Sequence, residues 1–186
     1  MDIGKKYLLD NVFVSLVPQV FPYGYWKKTE IKDLYAEIRI MINNNGAFVS
    51  TAVSRATINN CGVSEQSVWQ HALLNTEKDI TIDFASDVLD EVHTDDILLV
   101  SNVYENYGAG SLLTKECANK AQKMCNTNSF YCIPYSKHMV FLVPVLRVGK
   151  NEELFFQDVI STANKNNGKA DILANTVFSV ELPLSL

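Results

Sequence analysis

The residues of this chain that could do chemistry are concentrated at one predicted bend. Tyr135, Ser136 and His138 stand between two apolar segments, residues 129–134 and 139–144. This pattern predicts a β-hairpin that carries its reactive side chains at the turn. Ser136 and His138 are two positions apart, so an ideal strand would place both on one face. An imidazole beside a hydroxyl can activate a serine nucleophile, which makes this pair a candidate catalytic site.

A hydrolase of this type also needs a carboxylate that orients the imidazole, and none lies nearby in sequence. The fold would have to bring in Asp171 or Glu105. The competing interpretation, which the sequence favours, is a turn in which Ser136 bonds to the backbone and His138 packs or faces solvent. Cys132 invites a thiol–imidazole hypothesis, but it lies in the apolar strand, where burial makes a thiol inert.

A glycine-rich turn supplies the second candidate site. Its ligand-binding candidates are Tyr107, Gly108, Gly110 and Ser111, to which Tyr135 of the bend is added. Residues 107–114 could present backbone N–H groups to an anion or nucleotide at the start of the following helix. The turn lacks the Gly-Lys-Ser/Thr ending of a phosphate-binding P-loop, and a plain turn that uses the conformational freedom of glycine is the alternative.

Metal binding has one candidate group. His93, Asp95 and Asp96 could hold a cation, but their spacing is not specific, and solvated loop charges are the ordinary interpretation. We therefore expect no metal site and no cofactor. The four cysteines form no C-x-x-C pair, which is typical of buried thiols in a reducing cytoplasm.

Composition limits the class of protein. The chain has 186 residues, 47% of them hydrophobic, which suits one domain with possible sub-units at residues 1–95 and 96–186. The net charge is −5 and the lysines and arginines are scattered, so we expect no nucleic-acid partner. The longest apolar run, residues 139–146, has the length of a strand and not of a membrane helix. We expect a cytoplasmic protein that does not bind membranes, and the sequence leaves its oligomeric state open.

Side-chain periodicity predicts the elements of the fold. Alternation predicts strands or extended chain over Val12–Val17, 34–42, 47–54, Ile80–Phe84, 96–103 and 176–182, besides the hairpin at residues 129–144. Helical spacing predicts helices over residues 64–78, 86–92 and 114–125, and a last helix from a cap at Asn151 with Phe155 facing inward. Residues 111–113 are expected to pair as a strand. Hairpins outnumber crossovers, so the sequence predicts an α+β fold: an antiparallel or mixed sheet of hairpins with three to four helices packed mainly on one face.

Three stretches of the chain carry a family resemblance. They are Ile58-Asn-Asn-Cys-Gly-Val-Ser running through Trp69-Gln-His-Ala to Asn75-Thr76, Leu98-Leu-Val-Ser-Asn-Val followed by Tyr107-Gly-Ala109, and Ile133-Pro-Tyr-Ser-Lys-His138 with the apolar run to Pro144. They resemble a domain-of-unknown-function family of uncharacterised bacterial proteins, found mostly in clostridia and their relatives. The resemblance implies a fold and a cytoplasmic bacterial origin, but no reaction. Members of that family tend to have Glu after the histidine of the Pro-x-Ser-x-His hairpin, where this chain has Met139, so any catalytic role of that Glu would be missing here.

Our first functional hypothesis is a non-enzymatic cytoplasmic module that binds a protein or peptide partner. It rests on the absence of a strong catalytic constellation in the sequence and on a sheet with a potentially open edge. It predicts an exposed apolar patch or an unpaired edge strand. The alternatives are a hydrolase-like enzyme that uses Ser136 and His138, and an anion- or nucleotide-binding protein that uses residues 107–114.

Overall fold

In the computed structural model, which describes residues 4–44, 47–88, 96–148 and 152–186, nine strands form two antiparallel sheets. The first sheet contains β1 (Val12–Val17), β2 (Trp26–Lys28), β3 (Tyr35–Asn44) and β4 (Ala47–Ala52). The second sheet contains β5 (Ile80–Phe84), β6 (Leu98–Asn102), β7 (Ser129–Pro134), β8 (Val140–Pro144) and β9 (Phe178–Glu181). The predicted α+β class is confirmed, with the strands divided between two sheets.

Helices connect and cover these strands. The α-helices are α1 (Lys5–Asn11), α2 (Arg55–Asn60), α3 (Glu65–Lys78), α4 (Ala85–Val88), α5 (Lys115–Cys125) and α6 (Glu152–Asn166), and two 3₁₀ helices cover Gly108–Leu113 and Val145–Arg147. The predicted caps of α3 and α5 are confirmed, because the hydroxyls of Ser64 and Thr114 accept backbone N–H groups at 3.2 Å in each case. The sequence did not predict α1, α2 or β2. Three parts of the predicted secondary structure lie wholly or partly outside the described residues: the cap at Asn151, the end of the helix at residues 86–92, and the tip of the β3–β4 hairpin at residues 45–46.

The first sheet is built around β3. Strand β1 pairs with one edge of β3, and β2 and β4 follow one another along the other edge. The predicted alternation is confirmed, since Ala36, Ile38 and Ile40 are buried in the main core. The opposite face is also covered, because Glu37 is only 1% exposed.

Side chains of α3 cover the free edge of β1. The hydroxyl of Thr76 accepts the Val14 N–H at 3.0 Å and donates to the Ala72 carbonyl at 2.8 Å. The amide of Asn75 donates to the Val12 carbonyl at 2.8 Å. An unpaired strand edge invites pairing with another chain, and these bonds occupy the outward Val14 N–H and Val12 carbonyl of β1.

Thr76→Val is expected to lower the free energy of unfolding by about 1–3 kcal/mol, because valine keeps the shape of threonine but leaves the buried Val14 N–H without an acceptor. Urea unfolding followed by circular dichroism measures this change. Thr51→Val, at an exposed position of β4, is the control and should change the stability by less than about 0.5 kcal/mol. A loss at Thr76 no larger than the loss at Thr51 would contradict the role assigned to the Thr76 hydroxyl.

The second sheet has the order β5-β6-β8-β7-β9, and its centre is the hairpin that the sequence predicted. Pro134 of β7 pairs with Val140 of β8 across the bend. Helix α6 packs on the outer face of this hairpin, where Phe156 and Ile160 form a small cluster with Ile133 and Val143.

Phe155 of α6 is 64% exposed, so the prediction that it faces inward is wrong. Phe156 and Ile160 are four positions apart and share the buried face of the helix. Successive residues of an α-helix are rotated by about 100° around its axis, so Phe155 cannot lie on the same face as Phe156.

The 3₁₀ helix Gly108–Leu113 lies between the two sheets, and all six of its residues are buried. A Cβ atom on Gly108 would lie 2.5 Å from the His138 carbonyl oxygen, and one on Gly110 would collide with the Val14 carbonyl oxygen. Both glycines are therefore required by close backbone approach. Residues 111–113 do not pair as a strand, which corrects the prediction, because the Thr114 N–H closes a helical turn onto the Ser111 carbonyl at 3.0 Å.

The main core draws on both halves of the chain and lies between the sheets, α3 and α5. Its largest fully buried side chains include Ile38 and Leu16 of the first sheet and Phe130 and Leu142 of the second. Among the described residues, no helix combines the length and the apolar character that a membrane crossing requires.

Candidate functional site

Strand β9 is an edge strand of the second sheet, and its pairing with β7 fixes which backbone groups face outward. The Leu182 N–H donates to the Asn128 carbonyl at 3.0 Å, and these two residues continue the register in which Val180 faces Phe130. In an antiparallel pair, alternate residues direct both backbone groups toward the partner strand. Residues 178, 180 and 182 therefore bond to β7, and Ser179 and Glu181 direct their N–H and C=O groups away from it.

The outward groups of Ser179 and Glu181 have no backbone partner among the residues that the structure describes. Both residues are exposed. This edge differs from the free edge of β1, where the Val14 N–H and the Val12 carbonyl are taken up by side chains of α3. Strand β9 therefore presents main-chain donors and acceptors that another extended chain could use.

A groove of about 740 Å³ runs beside this edge, between β9 and residues 30–34. We call it the β9 groove. It is lined by Pro18, Glu30, Ile31, Lys32, Asp33, Leu34, Lys169, Ile172, Leu173, Ala174, Asn175, Thr176, Phe178 and Ser179. Ser179 belongs both to the open edge and to the groove wall, so the edge and the groove form one site. Its size lies within the range of about 300–1,000 Å³ that is usual for ligand sites in proteins.

The β9 groove has an apolar interior and a rim of mixed charge. Leu173 is buried, and Ile31 and Phe178 are half-buried beside it. Lys32 and Asp33 are exposed on one side. A site of this composition can take apolar side chains of a ligand without selecting strongly for the sign of its charge.

Polar side chains of α6 hold one end of the groove wall. The Asn164 amide donates to the Ala174 carbonyl at 2.9 Å, and the Gln157 amide donates to the Asn175 carbonyl at 2.6 Å. Residues 169–176 contain no helix or strand, so these bonds supply the order that regular secondary structure would otherwise give.

The other end of the wall is held by the Asp171 cluster, which consists of Lys137, His138, Asp171 and Tyr107. The Lys137 N–H donates to the Asp171 carbonyl at 2.8 Å, and its ammonium group lies 2.9 Å from Asp171 Oδ1. His138 Nε2 lies 3.1 Å from the same oxygen. Hydrogen bonds from Lys137 and then from His138 lower the pKa of the Asp171 carboxyl below its usual value. Lys137 and His138 of the predicted hairpin bend therefore hold this end of the groove wall in place through their bonds to Asp171.

The two nitrogens of the His138 ring are both occupied. Nδ1 accepts the Tyr107 N–H at 3.1 Å, so in the neutral ring the proton is on Nε2, which donates to Asp171. The Ser136 hydroxyl accepts the N–H groups of His138 at 3.0 Å and Met139 at 3.3 Å, and Ser136 is 4% exposed. This is the hydrogen bonding of a turn, and it leaves no imidazole nitrogen to serve as a base for Ser136.

The structure places the two predicted acids differently. Asp171, 33 positions from His138 in sequence, contacts the imidazole. Glu105 is exposed in the loop before Tyr107, with a φ of 51°. Of the catalytic constellation that the sequence suggested, the fold therefore brings together His138 and Asp171, with Ser136 turned to the backbone.

Tyr107 joins the two sheets. Its ring lies under the Arg39 guanidinium of β3 at 4.4 Å and under the Lys137 ammonium at 4.7 Å. Its φ of 58° is in the left-handed region, which costs a residue other than glycine about 1–2 kcal/mol. The surrounding contacts, including the bond of its N–H to His138, hold it in this conformation.

The glycine-rich candidates lie inside the protein. Gly108, Gly110 and Ser111 are buried. The Ala109 N–H donates to the Lys137 carbonyl at 3.3 Å, and the Gly110 N–H donates to the Tyr107 carbonyl at 3.1 Å. These donors face protein acceptors and not a cleft.

Tyr135, the remaining ligand-binding candidate, lies on the other side of the bend. Its carbonyl accepts the Asn167 amide at 2.6 Å, and its ring packs edge-on against Phe141. Tyr135 and Phe155 line a shallow surface pocket of about 300 Å³ on α6.

The structure bears on the metal and cysteine hypotheses through different residues. His93 and Asp95 lie outside the described residues, and the described part holds no group of three His, Cys, Asp or Glu side chains arranged to bind a metal ion. Burial raises the pKa of the Cys117 thiol to about 12 and raises the pKa of Cys132 well above its usual value. These two thiols are therefore protonated and unreactive in the folded protein.

Comparison of the chain with family models, with curated proteins and with solved structures finds no match. The resemblance to a clostridial-type family stays a prediction, and the function has to be argued from the geometry. The residues that form the β9 groove match no sequence motif, so sequence reasoning missed them. The one prediction related to this site is that the sheet has an open edge.

Proposed function

We propose that the protein binds an extended segment of a partner protein, which adds to the second sheet as a further strand beside β9. The observation that supports this proposal is the pair of outward residues, Ser179 and Glu181, whose main-chain groups lack backbone partners in the described structure. Ser179 also lines the adjacent groove. In strand addition, main-chain hydrogen bonds supply affinity and side-chain pockets supply specificity. The β9 groove offers both.

The magnitudes fit a partner of moderate affinity. Each new main-chain hydrogen bond contributes about 0.5–1.5 kcal/mol, and Ser179 and Glu181 offer up to four of them. Burial of one or two apolar side chains against Leu173 and Phe178 would add about 1.5–3 kcal/mol each. The order that α6 and the Asp171 cluster impose on residues 169–176 lowers the entropy lost on binding.

The hydrolase alternative is supported less well by the geometry. A serine nucleophile needs a base nitrogen within hydrogen-bond reach, and both nitrogens of His138 are engaged elsewhere. Under the proposed function His138 and Lys137 position the wall of the groove through Asp171, and they need no catalytic role.

The test compares two substitutions at one position. Peptides selected from a displayed random library on the wild-type protein are measured against Ser179→Pro and Ser179→Ala. Proline removes the outward N–H, which the fold does not use, and edge strands tolerate it. We expect Ser179→Pro to weaken binding at least about tenfold through the lost bond and the bulk of the ring, and Ser179→Ala to bind like wild type.

Two further measurements make the result specific. Circular dichroism and urea unfolding should show both variants folded, with Ser179→Ala as the matched control for the change of side chain. Chemical-shift changes on binding should centre on β9 and residues 30–34. Selected peptides that bind equally well to both variants, or that shift a different surface, would contradict strand addition at β9.

A further inference from the structure

A second surface, remote in sequence from the β9 groove, exposes aromatic side chains. Tyr23 is 77% exposed and Phe21 is 51% exposed, and their rings meet edge-on at 5.9 Å. Trp26 of β2 packs edge-on against Tyr35 of β3 at 5.3 Å, which fixes the indole in place. Exposed aromatic side chains that form a contiguous group are typical of interaction surfaces, whereas single exposed apolar residues are common on any protein surface.

Of these four aromatic residues, Tyr23 and Trp26 border a groove of about 650 Å³, which we call the aromatic groove. It is lined by Pro22, Tyr23, Gly24, Trp26, Ser54, Arg55 and Ala56. It therefore lies where the segment before β2 meets the start of α2.

The segment that carries Tyr23 is held by a buried carboxylate. Glu37 Oε1 accepts the Phe21 N–H at 2.8 Å, and Glu37 Oε2 lies 2.7 Å from the Arg39 guanidinium. The Gly24 N–H then donates to the Phe21 carbonyl at 2.9 Å, which closes the turn. Burying a carboxylate costs several kcal/mol of desolvation, and here the bonds that compensate it also fix the exposed aromatic segment. The aromatic groove is thus ordered before any ligand arrives.

Two cationic side chains, Arg55 in the lining and Lys28 nearby, lie close to the aromatic groove. The Arg55 side chain is 60% exposed and shares its charge with Glu65 at 3.2 Å. Lys28 does not line the groove, but it is exposed and lies on the same face of β2 as Trp26, because the two are two positions apart. Once Glu65 is counted, Arg55 and Lys28 leave one net positive charge near the groove in a chain of net charge −5, and this charge favours a ligand that carries carboxylates.

We propose that the aromatic groove binds an acidic, proline-rich segment of a protein in the polyproline II conformation. Shallow grooves lined by Trp, Tyr and Pro hold the flat faces of proline rings, and a polyproline II segment is already ordered when it binds. Carboxylates beside the prolines pair with Arg55 and Lys28. Single-stranded nucleic acid also stacks on aromatic rings, but it needs a groove with many cations along its phosphates, and this rim has few.

The probe is a peptide of two Glu-Pro-Pro-Pro-Pro repeats, compared with the same peptide carrying Lys in place of Glu. Titration into the ¹⁵N-labelled protein should shift the amides of residues 23–26 and 54–56 saturably with the acidic peptide. We expect the lysine peptide to bind at least about fivefold more weakly, since it meets like charge at the rim. Tyr23→Ala should lower the affinity for the acidic peptide at least about tenfold, because it removes an exposed aromatic ring from the groove lining.

Tyr7→Ala, which removes a 40% exposed tyrosine from α1, is the matched control and should bind the acidic peptide like wild type. Arg55→Gln should reduce the preference for the acidic peptide over the lysine peptide. The proposal is overturned if neither peptide gives saturable shifts, if both bind equally, or if Tyr7→Ala weakens binding as much as Tyr23→Ala. Saturable shifts of the same amides by oligodeoxythymidine, without a response to the acidic peptide, would replace it by nucleic-acid binding. Ser179→Pro should leave this titration unchanged, which separates the aromatic groove from the β9 groove.

Discussion

Glu37→Ala is expected to lower the free energy of unfolding by about 3–5 kcal/mol, because it leaves the largely buried Arg39 guanidinium without its carboxylate partner. The substitution also removes the acceptor of the Phe21 N–H and opens a cavity in a position that is 1% exposed. Urea unfolding monitored by circular dichroism measures the loss. The aromatic side chains of residues 21–26 should become more mobile at the same time, which amide relaxation or hydrogen exchange would detect.

A double-mutant cycle with Arg39→Ala separates the ion pair from general damage to the core. The double variant Glu37→Ala/Arg39→Ala should lose less stability than the sum of the two single variants by at least about 1 kcal/mol, since neither charge is then left unpaired. Strict additivity would show that Glu37 and Arg39 are not energetically coupled, and it would contradict the stabilising role assigned to their ion pair.

Gly110→Ala is expected to lower the free energy of unfolding by about 1–3 kcal/mol or more, because the added methyl group collides with the backbone of β1. The Cβ atom would overlap the Val14 carbonyl oxygen and lie 2.9 Å from Ser15 Cα, and the backbone of a fully buried strand cannot move aside as a flexible side chain can. Because the 3₁₀ helix lies between the sheets, the collision would press the first sheet away from the second. Thermal and urea unfolding measure the effect.

Gly4→Ala is the matched control, since nothing lies within 4 Å of the Cβ that it adds. It measures how much replacing a glycine by alanine changes the free energy of unfolding through the conformational freedom of the backbone alone. We expect that change to be less than about 1 kcal/mol. Equal effects at the two positions would mean that the approach of the 3₁₀ helix to β1 can relax without cost.

The elements with strong local patterns were predictable from the sequence. Strand β1 has the predicted bounds, Val12–Val17, because a run of apolar residues ends at Pro18. The caps at Ser64 and Thr114 were predictable because a hydroxyl before a helical stripe satisfies N–H groups that the helix itself cannot. The β7–β8 hairpin follows from two apolar segments around a polar bend.

The elements that depend on distant parts of the chain were not predictable. The glycines at residues 108 and 110 suggested a turn with special dihedral angles, but their φ values are not positive, and what they provide is the space for close packing of backbones. The division into two sheets follows from the 3₁₀ helix that separates them, and the residues of this helix have no periodic pattern.

The candidate site was predictable only in part. The sequence offers Asp171 as a carboxylate for His138, and the structure joins the two, but only the fold shows that Nδ1 is occupied by the Tyr107 N–H. The β9 groove is formed by residues 30–34 and residues 172–179, and nothing in the sequence of either segment indicates that the two lie side by side. Sequence reasoning predicted an open edge without predicting which strand would provide it.

The covering of β1 by Asn75 and Thr76 has a consequence for the behaviour of the protein under stress. These two side chains belong to the last turn of α3, and helix ends fray more readily than helix centres. A partial opening of that turn, with both sheets still intact, would expose a second strand edge, that of the apolar strand β1. We therefore expect the tendency of this protein to aggregate on heating to depend on how firmly the end of α3 stays docked on β1.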